Sequence, residues 1–232
     1  MKAIKSNTTD YQTGHRSRLK EKFIKSGLTG FHDYEILELL LTYAIPRRDV
    51  KPIAKELTEH FKDLQGIFDA DLEELKNIKG LGEHSAILIK LLKEAAAVYL
   101  KERIENKNII DSVKSVMEYC RYRLSGERDE VFLVLYLNAK NEIIKNEILQ
   151  RGTIDQTVIY PRKVMEQALK HNACSLIFVH NHPSGDPAPS EADKELTKIL
   201  TRALRTVDIT VHDHLITGKN ACFSARENGW IT

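Results

Sequence analysis

The chain has 232 residues, of which 42% are hydrophobic and 29% are charged, and its formal net charge is +2. This composition is typical of a globular protein with one large or two small domains. It excludes a membrane-spanning protein, because no apolar run approaches the roughly 20 residues of a membrane span, and the three scattered cysteines exclude a disulfide framework. The first residues lack the apolar core of a secretion signal, so we expect a cytoplasmic protein without membrane contacts.

The N-terminal segment is basic. Residues 1–30 carry seven lysine and arginine residues against two acidic ones. Such a segment can contact the phosphates of a nucleic acid. It can equally form a solvated tail and helix face, and both interpretations stay open.

Residues 15–104 show no strand pattern and predict a small all-α domain. His32 precedes an apolar helical run that Pro46 stops, because proline disfavours a helical residue before it. A second helix is predicted from Val50 to Phe61. Asp71 opens a third, with acidic residues in its first turn, where the helix dipole favours them.

A glycine-flanked hairpin is predicted between this third helix and the next. Gly80 and Gly82 flank Leu81, and glycine permits a tight turn. Residues 75–86 resemble a helix-hairpin-helix motif, whose amides can hold a DNA phosphate without reading bases. We therefore predict possible non-specific DNA contact at Gly80, Leu81 and Gly82. Glu83 directly after the hairpin would repel a phosphate, so a structural or protein-binding role is an equal alternative.

The domain boundary is predicted after the next, alanine-rich helix, which extends to about residue 105. Residues 104–108 read as a polar linker. The helical domain is therefore assigned to residues 1–105 and a second domain to residues 109–232.

The second domain predicts an α/β fold. Asp111 or Ser112 caps its first helix, and residues 131–137 form a near-continuous apolar strand of the kind found inside a sheet. Residues 143–149 return as a hairpin-paired strand, and Pro161 opens a helix. Further strands are predicted at residues 175–179, 208–218 and 222–224. Together these elements predict a mixed sheet flanked by helices.

A metal site is predicted where the strand at residues 175–179 ends. His180 and His182 are two residues apart, so a strand directs both imidazoles to one side. A loop rich in proline and glycine follows, and Ser190 opens a helix with Asp193 in its first turn. Two imidazoles and one carboxylate are the ligands of a catalytic zinc ion with an open fourth position, one ion per chain. Alternatively, Ser190 is an N-cap and Asp193 the acid of a capping box.

The pattern His-x-His-Pro-x6-Ser-x2-Asp resembles the JAMM (MPN-plus) metalloprotease motif, and the fuller sequence of residues 180–190 resembles the RadC family. The likeness covers nearly the whole chain, since a helix-hairpin-helix precedes the motif. It implies a three-layer fold of the JAMM and cytidine-deaminase form, with zinc held by His180, His182 and Asp193. It also implies that the Ser190 hydroxyl stabilises an oxyanion. The implied reaction is hydrolysis of a peptide or isopeptide amide in a protein or peptide substrate.

Glu130 is the acid that we predict as general base. In JAMM proteins a glutamate precedes the corresponding apolar strand, and here Glu130 stands before residues 131–137. It would accept a proton from the activated water and deliver it to the leaving amine. Other acidic residues nearby compete for this role: Glu127, Asp129, Glu142 and Glu147.

Four rival interpretations were compared with the zinc hydrolase. His212 and His214 form a second His-x-His pair, and a strand would direct both of these side chains to one side as well. We interpret this pair as part of a strand with Asp213 and His214 near the site. A zinc deaminase requires His-x-Glu and Pro-Cys-x-x-Cys, which the chain lacks. A metal-dependent nuclease usually has a carboxylate-rich site with two metals. A DNA-binding accessory protein in DNA repair or recombination, acting through the hairpin, stays the alternative.

Overall fold

The computed structural model describes residues 8–104, 109, 113–152 and 159–231, with side chains from residue 14 onward. The chain divides into two compact units, Met1–Glu94 and Ala95–Thr232. The predicted linker residues 105–108 and the predicted caps Asp111 and Ser112 lie outside the described residues, so the predicted boundary at 105–109 stays a prediction. Among the described helices, none has the length and apolar character needed to cross a membrane.

The first unit is helical, as the absence of a strand pattern predicts. Its helices are α1 (Thr8–Ser26), α2 (Asp33–Ala44), α3 (Lys51–Phe61), α4 (Leu64–Asp69), α5 (Leu72–Lys76) and the first part of α6 (Glu83–Ile104). The short helix α4 was not predicted. Asp63 caps it by accepting a hydrogen bond from the Gly66 amide at 2.7 Å, a local signal within a segment too short to show helical periodicity.

The glycine hairpin lies between α5 and α6. Gly80 has φ of +87°, a left-handed conformation that L side chains rarely adopt. The carbonyl of Gly82 accepts hydrogen bonds from the amides of Ser85 and Ala86, so Gly82 is the N-cap of α6. The Leu81 side chain is buried in the core of this unit. Leu81 therefore contributes to packing, and a ligand at the hairpin could contact its backbone but not the Leu81 side chain.

The second unit contains one five-stranded mixed sheet in the order β2-β1-β3-β4-β5. Its strands are β1 (Val131–Leu137), β2 (Ile143–Arg151), β3 (Ser175–Asn181), β4 (Thr210–Thr217) and β5 (Cys222–Ser224). Strands β3 and β4 are parallel and the other neighbours are antiparallel. The predicted α/β class is confirmed, and β3 is the middle strand.

Helices cover both faces of this sheet. Helices α8 (Pro161–Lys170) and α9 (Glu191–Arg205) pack on one face through Val164, Ala168, Leu200 and Leu204, and α7 (Val113–Leu124) packs on the other. All residues of β1 and β3 are buried, which explains their unbroken apolar sequences. Within α9, the apolar side chain of Ile199 is 45% exposed, whereas the polar side chain of Thr197 is buried.

Candidate metal centre

The carboxyl end of β3 carries the two histidines of the predicted site. His180, the penultimate residue of β3, is fully buried on the face covered by α9, and His182 follows the strand. The His182 amide donates to the Thr217 carbonyl at 2.9 Å, so the backbone continues along β4 for one more step. The extended backbone brings the two Nε2 atoms 3.1 Å apart.

Asp193 joins them from the first turn of α9. Its carboxylate is 2% exposed, with Oδ1 3.2 Å from His180 Nε2 and Oδ2 3.5 Å from His182 Nε2. The Ser190 amide and hydroxyl donate to Asp193 Oδ2 at 2.8 and 2.7 Å, and the Asp193 amide donates to Ser190 Oγ at 3.2 Å. Asp193 therefore belongs both to the capping box of α9 and to the candidate metal centre, and Ser190 holds its carboxylate.

The donor atoms have the spacing of metal ligands. Atoms around a tetrahedral zinc ion with bonds of about 2.0–2.1 Å lie about 3.3 Å apart, and the three contacts here span 3.1–3.5 Å. Across the part of the chain that the structure describes, His180, His182 and Asp193 are the one group of three histidine, cysteine or acidic residues close enough to hold a metal ion. The structure thus brings together the three residues predicted from the motif.

The electrostatics favour an ionised Asp193 carboxylate beside a His182 imidazole of raised pKa. Burial alone would raise the pKa of Asp193, but hydrogen bonds with His180, His182 and Ser190 hold it well below its ordinary value. The pKa of His182 is raised, chiefly by its hydrogen bond with Asp193 and in smaller part by the negative charge of Glu130. The site therefore attracts a cation.

Glu130 lies half-buried directly before β1, within electrostatic reach of His182. Its neighbours along the chain are held by Asn181, a buried residue for which the sequence pattern predicted no role. The Asn181 side chain accepts from the Val131 amide at 2.8 Å and donates to the Asp129 carbonyl at 3.0 Å. The side-chain amide of Asn181 therefore fixes the backbone of the residues directly before and after Glu130; this pair of contacts is called the bracketing of Glu130 below.

Three of the acids that compete with Glu130 are engaged elsewhere. Glu127 pairs with Arg151 at 2.6 Å. Glu142 accepts from the side chain of Asn138 at 2.7 Å. Glu147 lies 3.5 Å from His171 at the end of α8. These contacts favour Glu130 without testing its role.

The rival His-x-His pair is divided by the sheet. Strand β4 has a register shift in which Leu176 pairs with Val211 and Ile177 with Asp213, so His212 is the extra residue. His212 lines a cavity on the α7 side together with Asp213. His214 is fully buried on the other side, with Nε2 3.0 Å from His180 Nδ1. The prediction that both histidines point to one side was wrong, because the bulge breaks the two-residue alternation.

Asp213 is also directed away from the metal centre. Its carboxylate accepts from the Ser224 hydroxyl at 2.7 Å and from the Arg226 amide at 3.0 Å. Asp213 therefore holds the chain after β5 against β4. It also accepts from the His214 amide at 2.7 Å. Among the described contacts of this segment, His214 rather than Asp213 touches a candidate ligand, so the predicted place of Asp213 near the site stays a prediction.

Fold and site together define a class: a mixed α/β sheet with a His-His-Asp group, able to hold a metal ion, at the end of its middle strand. Comparison with protein families agrees. The RadC-like JAB domain matches residues 110–230, and the UPF0758 N-terminal domain matches residues 12–87. The chain belongs to the RadC family, as its motif predicted.

Two relatives show the same extent of likeness. A UPF0758 protein of Fusobacterium nucleatum is 43% identical over 94% of this chain and 97% of its own length. A UPF0758 protein of Ruegeria pomeroyi is 40% identical over 95% of this chain and 99% of its own length. The likeness includes both compact units, so the helical part and the α/β part occur together in these proteins.

Proposed function

We propose that this protein is a zinc-dependent hydrolase of the JAMM type, a metallopeptidase that cleaves a peptide or isopeptide amide. The observation that carries the proposal is the convergence of His180, His182 and Asp193 at separations of 3.1–3.5 Å. The RadC-like JAB domain supports the reaction class.

The position of the proton on the His182 ring supports a role for this residue as a metal ligand. His182 Nδ1 lies 2.9 Å from the Asp186 carbonyl oxygen. A carbonyl only accepts, so Nδ1 carries the proton, and a neutral His182 presents an electron pair at Nε2. That electron pair faces the Asp193 carboxylate and His180. Imidazole nitrogen and carboxylate oxygen are ligands that zinc takes, and three protein ligands leave a coordination position for chemistry.

Zinc in this group would supply Lewis acidity and lower the pKa of water to about 7. Glu130 would accept the proton of the attacking water and deliver it to the leaving amine. The Asn181 contacts support this role, because they hold the backbone on both sides of Glu130.

Ser190 would stabilise the oxyanion of the tetrahedral intermediate, a contact typically worth about 3 kcal/mol. In the structure its hydroxyl donates to Asp193 Oδ2. Because a hydroxyl has one proton, Ser190 would have to turn from Asp193 to a substrate oxygen during the reaction.

Metal analysis tests the site first. Purified wild type, His182→Ala and Asp193→Ala proteins are compared by mass spectrometry, with His212→Ala as the matched histidine control. We expect about one zinc per chain in wild type and His212→Ala, and none in the other two variants. Metal-free wild type after purification without chelator would overturn the proposal.

Activity is tested with a library of peptides prepared from a whole proteome. Zinc-loaded wild type is compared with Glu130→Gln and with the control Glu127→Gln, and new termini are identified by mass spectrometry. New termini in wild type and Glu127→Gln, reduced by about 100-fold or more in Glu130→Gln, would support the mechanism. Equal cleavage by Glu130→Gln would assign the base elsewhere.

A second candidate function is non-specific DNA contact by the helix-hairpin-helix, and one contact favours it. The Arg48 guanidinium lies against the position that a Cβ at Gly80 would occupy, which places a cation at the hairpin. Glu83, which would repel a phosphate, lies 4.0 Å from the cation of Lys76, which also pairs with Glu73 at 2.9 Å.

Fluorescence anisotropy with a labelled DNA duplex tests this candidate on wild type, Arg48→Ala and the control Arg47→Ala. Weaker binding in Arg48→Ala alone, with a clear salt dependence, would support it. No binding by wild type at low salt would remove it.

A further inference from the structure

We infer that Thr197 and His214, two residues outside the JAMM motif, are positioning residues that direct the proton-free Nε2 atom of His180 toward the metal. The inference rests on the proposed zinc site. Thr197 lies on α9 one turn after Asp193, and His214 lies on β4. Together they connect the backbone of one candidate ligand, Asp193, to the imidazole of another, His180.

Three short contacts form the connection. Thr197 Oγ1 lies 2.6 Å from the Asp193 carbonyl oxygen and 2.6 Å from His214 Nδ1. His214 Nε2 lies 3.0 Å from His180 Nδ1. Each of these side chains is at most 1% exposed, so water does not supply alternative partners from bulk solvent.

The contact between Thr197 and the Asp193 carbonyl determines the donor and the acceptor in the other two hydrogen bonds. Two oxygen atoms 2.6 Å apart need a proton between them, and the Asp193 carbonyl has none, so the Thr197 hydroxyl donates to it. Thr197 has no second proton, so His214 Nδ1 must donate to Thr197 Oγ1. His214 is fully buried between the rings of Phe132 and Phe178, where a neutral imidazole is favoured over a charged one, so its Nε2 carries no proton and accepts.

The last step decides the tautomer of His180. Because His214 Nε2 accepts, His180 Nδ1 carries the proton that lies between the two rings. A neutral His180 then presents an electron pair at Nε2, the atom that lies 3.2 Å from Asp193 Oδ1. Partners of this kind fix the orientation and basicity of metal-binding imidazoles.

Aromatic packing holds the intermediate ring in place. The rings of Phe132 and Phe178 meet the His214 ring edge-on, each with centroids 5.9 Å away. These apolar neighbours offer its nitrogens no hydrogen-bond partner. The His214 ring therefore has Thr197 and His180 as its side-chain partners. Because the two aromatic rings do not compete for its nitrogens, the hydrogen bond with Thr197 determines the one with His180.

Zinc affinity tests the inference. The zinc dissociation constant is measured by competition with a chromophoric chelator for wild type, Thr197→Val and Thr197→Ser. We expect about 10–100-fold weaker binding in Thr197→Val, the usual effect of losing such a partner, and near wild-type binding in Thr197→Ser, which keeps the hydroxyl. The matched control is Thr201→Val, one turn further along α9, because the Thr201 hydroxyl is buried and has no hydrogen-bond partner among the described residues.

Nitrogen NMR of the imidazoles in zinc-loaded wild type provides a readout that packing alone does not produce. We expect His180 and His214 to be protonated at Nδ1 and proton-free at Nε2. The opposite tautomer at either ring would overturn the inference even if every variant failed to fold.

The outcomes separate the inference from the function on which it rests. If wild type binds no zinc, the proposed function fails. If wild type binds zinc but Thr197→Val binds it equally well, the inference fails and the zinc site stands. Equal losses in Thr197→Val and Thr201→Val, or in Thr197→Val and Thr197→Ser, would assign the effect to α9 packing and also overturn the inference.

Discussion

At the scale of single residues, Ser190 serves local structure and the candidate metal centre together. It caps α9 by accepting from the Asp193 amide, and its hydroxyl donates to the Asp193 carboxylate. The two interpretations of its sequence pattern, helix cap and active-site serine, therefore do not exclude each other. The geometry that caps the helix also orients Asp193.

Ser190→Ala is expected to lower the unfolding free energy by about 1 kcal/mol, because the helix loses its cap. Urea denaturation of the metal-free protein, followed by fluorescence of Trp230, measures this. Trp230 is the one tryptophan of the chain and packs on the core beside α9. Ser190→Thr keeps the hydroxyl and should unfold like wild type. An unchanged midpoint in Ser190→Ala would contradict the capping role.

Zinc binding is expected to weaken at acidic pH because zinc and a proton compete for His182. The hydrogen bond with Asp193 raises the pKa of His182, so below that pKa each further pH unit should weaken zinc binding about tenfold. Without metal the sign is opposite: this raised pKa stabilises the folded protein at low pH, and the contribution is lost as pH rises through it.

Calorimetric titration with zinc between about pH 5 and pH 8 tests this, since the range includes the usual titration of histidine. Two buffers of different ionisation enthalpy give the number of protons released. We expect the number of protons released by the histidine ligands to rise as the pH falls, whereas release at the basic end would come from metal-bound water, whose pKa zinc would lower to about 7. An affinity that does not change with pH would show that His182 is not a ligand.

At the scale of secondary-structure elements, the ends of β1 and β3 form one unit. His180 and Asn181 are consecutive on β3, so they point to opposite sides. His180 faces the metal centre, and Asn181 binds the backbone on either side of Glu130. One strand end therefore orients a candidate ligand and the candidate base.

Asn181→Ala is expected to lower the unfolding free energy by about 1–3 kcal/mol, because the Val131 amide is left buried without an acceptor. Faster hydrogen exchange at that amide is the direct measurement. Asn181→Asp keeps the acceptor and should protect the amide better than alanine. Unchanged exchange in Asn181→Ala would contradict the bracketing of Glu130.

At the scale of the whole molecule, the candidate metal centre belongs to the second compact unit, Ala95–Thr232. Its ligands come from β3, the following loop and α9, which are consecutive along the chain, so metal binding ties the end of a central strand to the start of the next helix. The first unit contains none of the three candidate ligands. Its stability should therefore depend on its own helical core, which includes Leu37, Leu57 and Leu75.

Zinc is expected to raise the Tm of the second unit, because a ligand bound by the folded state alone stabilises it by mass action. At a free zinc concentration 100 times Kd the gain is about 2.7 kcal/mol, which corresponds to several degrees. Trp230 fluorescence during heating, with zinc and with EDTA, measures the difference. His182→Ala should show no difference, and an EDTA-insensitive Tm in zinc-loaded wild type would contradict zinc binding.

The sequence by itself determined the local features of this protein. The buried strand, the His-x-His alternation, the Ser190 cap with Asp193 and the glycine hairpin all depend on residues within a few positions of one another. Their geometry follows from backbone periodicity and cap chemistry. The resemblance to the family motif then predicted that His180, His182, Ser190 and Asp193 combine into one site.

The tertiary structure alone decided which distant residues support the site. Asn181 and Val131 are 50 positions apart, His180 and His214 are 34, and Thr197 and His214 are 17. No local propensity specifies such pairs, because they depend on strand order, on the register of β3 with β4 and on the bulge at His212. These contacts depend on how the sheet packs. They determine where the protons lie and how the side chains are oriented in a site whose ligands the sequence could identify but not orient.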